Sequence, residues 1–257
     1  MRPIIYLLLI VLCTYSVSAQ ADSAANSDAL LSKAISNYEE GNFSEALRLY
    51  ESLLATQESP ELFHNLSLAY FNNGELGKAI LYMERALRLD PLDEDINKNL
   101  NLLYENVESD VQDLPPFFIL AWSNAVARWM QPGIWTFFHL LLLVAAIALV
   151  YLYLIKNYDL GLHFYYIRGL IIGLFVFSLI TLALAYNAHR LQIDDTYAIV
   201  TQDDTPIRAG AESNSQEIGQ LKEGLKVEIQ DEIADFFKVR LGDYTEGWLE
   251  KVSVTRI

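Results

Sequence analysis

Apolar positions recur three and four apart through residues 27–104, run nearly unbroken through two later stretches, and then alternate with polar ones toward the end of the chain. These three regimes predict amphipathic helices, two helices of membrane length and a set of short β-strands, in that order. The first regime repeats itself. "YEEGNFSEALRLYESLLATQE" (Tyr38–Glu58) and "FNNGELGKAILYMERALRLDP" (Phe71–Pro91) lie 33 residues apart. Aligned on their glycines, Gly41 pairs with Gly74, Ala46 with Ala79, Leu47 with Ile80, Tyr50 with Met83 and Leu54 with Leu87. A fixed period of about 34 residues marks stacked helical hairpins, each burying its apolar face only against a neighbour.

The second unit, "PELFHNLSLAYFNNGELGKAILYMERALRLDP" from Pro60, resembles a tetratricopeptide (TPR) unit, with Phe63, Leu66, Ser67, Tyr70, Gly74, Ala79, Met83, Ala86 and Pro91 at the expected bulky, small, turn and stop positions. Ser67, Ala79 and Ala86 let two helices approach, Gly74 turns the chain, and Pro91 cannot continue a helix beyond Asp90. The first unit, roughly Ser27 to Gln57, departs at Leu30 and Leu53, but Asn42 followed by Glu45 predicts a capping box for the helix "SEALRLYESLLA". A third helix from Asp93 repeats the Leu66 and Tyr70 positions at Leu100 and Tyr104 without a following partner, which predicts a solvating cap. The resemblance places a concave groove on the first helix of each pair. Tyr38, His64, Leu68, Phe71 and Leu102 are the candidate partner-binding residues, with Leu31, Ile35 and Lys98 at matching positions.

Pro115 and Pro116 end this region, and Phe118, Trp122, Val126 and Trp129 then share a helical face while Ser123, Asn124 and Arg128 look elsewhere. An aromatic amphipathic helix beside membrane-length sequence is expected at the headgroup level, so membrane lipid is an expected partner. "TFFHLLLLVAAIALVYLYLI" (Thr136–Ile155) and "GLIIGLFVFSLITLALAY" (Gly169–Tyr186) are each long enough, at about 1.5 Å per residue, to cross about 30 Å of hydrocarbon. Gly169 and Gly173 form G-x-x-x-G, a pattern that can seat close helix packing. At the start of the chain, Arg2, an apolar run from Ile4 to Cys13, and Val17 and Ala19 in V-x-A spacing predict a signal peptide cleaved near Gln20. The tail alternates in "LKVEI" and "FKVRL" between Gly224, Gly242 and Gly247, which predicts a small antiparallel barrel of about five strands. Its order of "TPIRAG", "IGQLKEGLKVEI", "FFKVRL" and "EGWLEKVSV" resembles a bacterial SH3 domain, with Val200, Ile207, Leu221, Val227, Val239 and Trp248 expected inside.

Charge sharpens this division. Residues 20–114 carry 18 acidic and 6 basic side chains (net −12), residues 191–257 carry 14 and 7 (net −7), and the remainder 1 and 5 (net +4). Two acidic, water-compatible parts therefore flank an apolar middle, and no basic stripe is present to take up nucleic acid. Cys13, the only cysteine, falls within the signal peptide, so no disulfide or thiol chemistry is expected of the mature chain. Neither G-x-S-x-G, H-E-x-x-H nor a Walker loop occurs, and the four histidines are scattered. A non-enzymatic chain without metal or other cofactor is expected.

The sequence thus predicts a multidomain membrane protein: TPR helical hairpins, a two-helix transmembrane hairpin and a small all-β SH3-like barrel. Its parts are a signal peptide (1–19), a TPR domain with capping helix (20–113), an interfacial segment (114–134), spans at 135–155 and 169–187 joined by a cytoplasmic loop (156–168), and the SH3-like domain (193–257). This order, with "DINKNLNLLYENV" followed by "LPPFF", resembles the BatE-like, TPR-bearing branch of the Bat aerotolerance family. The resemblance implies a bacterial inner-membrane scaffold with its TPR and SH3-like domains on the periplasmic side, partners among other Bat proteins that carry von Willebrand-type domains, and a link to oxygen or stress tolerance. A cell-wall anchor whose SH3-like domain grips peptidoglycan is the alternative reading.

Overall fold

The computed structural model describes residues 27–108, 111, 118–155, 163–193 and 195–257; the signal-peptide reading and much of the cytoplasmic-loop reading fall outside them. The described chain forms two compact units, one of the helical repeats together with the C-terminal sheet, the other of the apolar helices.

The repeats consist of α1 (27–39), α2 (Phe43–Leu54), α3 (Pro60–Asn72), α4 (Leu76–Leu89) and α5 (Glu94–Tyr104). Gly41 and Gly74 turn α1 into α2 and α3 into α4 with φ of 79° and 86°, a left-handed backbone that glycine adopts without steric cost. Ala34, Ala46, Leu66, Ala69, Ala79, Ile80, Met83 and Ala86 are wholly buried where the hairpins meet. Ser67 sits among them because its hydroxyl donates to the Ala79 carbonyl at 2.6 Å, which satisfies a polar group that would otherwise be costly to bury. The capping box does not form. Asn42 donates its amide to Glu40 at 3.2 Å, and Glu45 is drawn to Arg48 at 2.6 Å, so neither side chain reaches the first turn of α2. Ser59 and Asp93 do cap α3 and α5.

Two phenols in this core are titration markers. Burial pushes Tyr50 up to about 12, and burial with a hydrogen bond to the Glu51 carboxylate raises Tyr70 further. An unfolded phenol titrates near about 10, so the folded state holds these protons more tightly. Their contribution to stability is complete below about pH 10 and is lost as pH rises through about 12 and beyond. Exposed tyrosines should therefore ionise first, with a second rise in phenolate absorbance accompanying loss of helical circular dichroism. A single wave near pH 10 with helicity intact would contradict this packing.

The C-terminal sheet has seven antiparallel strands: β1 (Tyr197–Val200), β2 (Thr205–Arg208), β3 (Glu217–Leu221), β4 (Lys226–Ile233), β5 (Phe236–Arg240), β6 (Glu246–Glu250) and β7 (Val254–Arg256), in the order β3-β2-β6-β5-β4-β1-β7. Two more strands form than the glycine spacing predicts, because β1 and β7 pair with each other beyond the Gly-bounded runs. Val200, Ile207, Leu221, Val227 and Val239 are buried as expected. Trp248 is not. The β5–β6 register sets Leu249 inside opposite Phe237, and strand parity turns Trp248 to the half-exposed face opposite Lys238.

This sheet does not stand apart from the repeats. Ile199 and Ile257 belong to the same buried apolar cluster as α2–α5. The Glu223 carboxylate accepts from the Gly77 backbone N–H at 3.0 Å and so supplies the first turn of α4 with the acceptor that its own N-cap residue, Glu75, does not provide. Glu84, only 9% exposed, accepts from Lys226 at 2.8 Å and from the Tyr104 hydroxyl at 2.5 Å, so the buried charge is neutralised and hydrogen-bonded. Arg85 and Arg88 donate to the backbone oxygens of Arg256 and Ile257 at 2.8 and 2.6 Å. The barrel thus packs on α4, while α5 keeps Glu94, Asp95, Lys98 and Asn101 exposed.

The second unit holds α6 (Phe118–Ala127), α7 (Pro132–Ile155) and α8 (His163–Ile193). Both long helices extend beyond the apolar runs that reveal them, α8 by more than a turn at its start. Their packing is inverted relative to a water-soluble bundle. Phe137, Leu141, Val144, Ile172 and Phe177 point outward, while Ala146, Ser178, Thr181 and Ala185 are buried. His139 Nδ1 lies 2.9 Å from both the hydroxyl and the carbonyl of Ser178, a polar link between the helices. Gly169 and Gly173 take no part: a side chain at either would meet nothing within 4 Å. The small residues that do seat the helices lie further along α8, and G-x-x-x-G here reflects composition.

Candidate functional site

Successive first helices of the repeats lie side by side, and two polar links stitch them together. Asn72 of α3 donates to the Tyr38 hydroxyl of α1 at 3.0 Å and to the Leu68 carbonyl at 2.8 Å, and Asn99 of α5 lies 2.7 Å from His64 Nε2. His64 is thereby held as a wall residue. Along this face the candidate residues differ in what they offer. Tyr38 is half-buried, meets Phe43 edge-on at 5.5 Å and packs against the core; Leu68 is also half-buried against it. Phe71 and Leu102, at 41% and 56% exposed, are the members whose apolar surface is open to a partner. Leu31 packs against the core, whereas Ile35 is exposed; Lys98 stands in solvent near Glu94 and Asp95 at 3.6 and 3.8 Å. An aromatic and a leucine on neighbouring helices, framed by amide and imidazole groups, can receive an apolar side chain and hydrogen-bond a peptide backbone.

The sequence reading misses the residues that join repeats to barrel: Glu84, Arg85, Arg88, Glu223 and Lys226. One signal was present. Glu84 follows Ile80 and Met83 on the buried face of α4, and an acid among core positions calls for a partner. Asn72 and Asn99, which order the groove face, carry no sequence signal of that kind.

Comparison with known proteins matches two parts of the chain. Residues 60–93 match the tetratricopeptide repeat, and residues 203–255 match the bacterial SH3 domain. The repeat region is similar to photosystem I assembly protein Ycf3 of Synechococcus sp. (strain WH7803), 32% identical over 28% of this chain and 43% of that protein. It is also similar to Ycf3 of Prochlorococcus marinus (strain MIT 9211), 35% identical over 25% and 40%, and of Prochlorococcus marinus subsp. pastoris, 32% identical over 36% and 60%. The chain spans about two-fifths of the length of the first of these relatives. The architecture is a helical TPR region, two long apolar helices and a C-terminal antiparallel SH3 domain; both flanking domains are of kinds that imply protein partners.

Proposed function

We propose that this chain is a non-enzymatic scaffold anchored in a membrane by α7 and α8, holding a protein partner in the TPR groove. The observation that carries this reading is that Phe71 on α3 and Leu102 on α5 remain exposed at candidate groove positions, whereas Tyr38 and Leu68 at the others pack against the core. Anchoring is supported by the outward apolar faces of α7 and α8, each of which contains a window apolar enough to cross a membrane. The packing of barrel on repeats supports a common side: a chain that enters the bilayer along α7 must return along α8 for its two flanking domains to meet. Together with the V-x-A spacing at Val17 and Ala19, this favours the periplasmic side and a cytoplasmic loop at 156–168. The order of parts favours a place in a Bat-type envelope complex, whose proteins with von Willebrand-type domains would then supply the partner.

Topology is testable with cysteine at single positions. In the chain carrying Ser44→Cys, Asn157→Cys or Ser213→Cys, a membrane-impermeant maleimide admitted past any outer membrane should label positions 44 and 213 in intact cells and leave 157 unlabelled. Labelling at 157 alone would reverse the orientation, and labelling at only one of 44 and 213 would contradict the two-span hairpin.

A further inference from the structure

α6 is built inside out. Its inward side carries Asn124, whose side-chain oxygen accepts from the Asn187 amide at 2.9 Å, and Ala127, whose carbonyl accepts from the Trp135 indole N–H at 3.1 Å. Its outward side carries Phe118, Trp122 and Ala125, and Trp129 follows in the turn beyond the helix, with Trp122 and Trp129 at 67% and 64% exposed. Val126, expected on that aromatic face, instead turns toward the cluster of Ala127, Trp135, Ala185 and Ala188. In water a surface helix arranges itself the other way, polar side chains outward. The two hydrogen bonds also fix the level of α6. Trp135 opens α7 and Asn187 lies near the close of α8, so α6 rests at the ends of the two apolar windows, where hydrocarbon gives way to headgroups. Tryptophan, with its apolar ring and single N–H donor, is favoured at that depth.

We propose that the Trp122 face of α6, continued by Trp129 in the turn after it, is a lipid-binding surface, lying in the plane of the membrane at the headgroup and upper acyl boundary of the leaflet where α7 begins and α8 ends. The occupant follows from continuity: the outward face of α6 adjoins the outward apolar faces of α7 and α8, which rest on the same membrane reading given above. The helix gives the chain a third attachment that does not cross the bilayer.

The test uses the full chain in vesicles of phosphatidylcholine and phosphatidylglycerol, washed with alkaline carbonate so that only integrally bound protein is measured. Trp122→Phe with Trp129→Phe keeps the face apolar and removes its two fluorophores, leaving Trp135 and Trp248. Lipids brominated near the headgroup end of the acyl chain should quench the native emission about twofold more than that of the double variant, and aqueous iodide should quench a smaller fraction of the native emission, because half-exposed Trp248 is one of four indoles there and one of two in the variant. Equal quenching of both proteins by brominated lipid would overturn the proposal, whether Trp122 and Trp129 prove open to iodide, as in water, or closed to both reagents, as beneath a protein. Loss of the chain in the carbonate wash would instead overturn the spanning role of α7 and α8.

Discussion

Replacing Gly224 with valine should divide the soluble unit into a helical domain and a barrel that melt separately. Gly224 sits at φ 87°, and a Cβ there would come within 2.7 Å of Ile80 Cδ1 and 2.9 Å of Val107 Cγ2, both on the repeat side of the interface. The left-handed backbone costs a branched residue about 1–2 kcal/mol, and forcing methyl groups into packed space costs about 1–3 kcal/mol more. For a unit of this size each kcal/mol lowers Tm by about 2–4 °C, so the first transition should fall by roughly 4–20 °C. Differential scanning calorimetry of the full chain in detergent reads this directly, with Gly219→Ala as control because its new methyl would meet only Ile207 at an ordinary 3.5 Å. A single transition at the native temperature would show that repeats and barrel are not coupled through this contact.

The repeat was legible because its constraints are local. Phe63, Leu66, Ser67, Tyr70, Ala79, Met83 and Ala86 are all buried, as sizes and spacing in one stretch of sequence foretell, and Gly74 and Pro91 stand at the turn and the stop. The two long helices and the barrel core strands were legible for the same reason, through composition and period. What escaped depends on partners distant in sequence. Asn42 and Glu45 satisfy the spacing of a capping box, but Glu40 and Arg48 compete for them. Trp248 has the size of a core residue, yet the pairing of β6 with β5 places it one residue out of phase with the interior. The union of barrel and repeats rests on Glu84 with Lys226 and on Glu223 with the start of α4, 142 and 146 residues apart, a distance over which no periodicity speaks. In the groove, spacing placed Tyr38 and Leu68 beside Phe71 and Leu102, but only packing separates the two that mainly support the wall from the two that face outward.

That separation decides how the binding claim is best tested. Tyr38→Ala would remove the ring that meets Phe43 and the hydroxyl that holds Asn72, confusing lost binding with a loosened repeat. Phe71→Ala with Leu102→Ala removes exposed side chains and leaves the wholly buried hairpin contacts in place. Truncating anchors of an interface costs roughly 2 kcal/mol or more, about a thirtyfold loss of affinity. The most direct measurement is quantitative co-purification from native membranes of the full chain, native against Phe71→Ala/Leu102→Ala, with thermal melting of both to establish that the fold is kept. The groove reading predicts that a partner recovered with the native chain falls by an order of magnitude or more with the double variant while Tm is unchanged; equal recovery of that partner by an equally stable variant would contradict it.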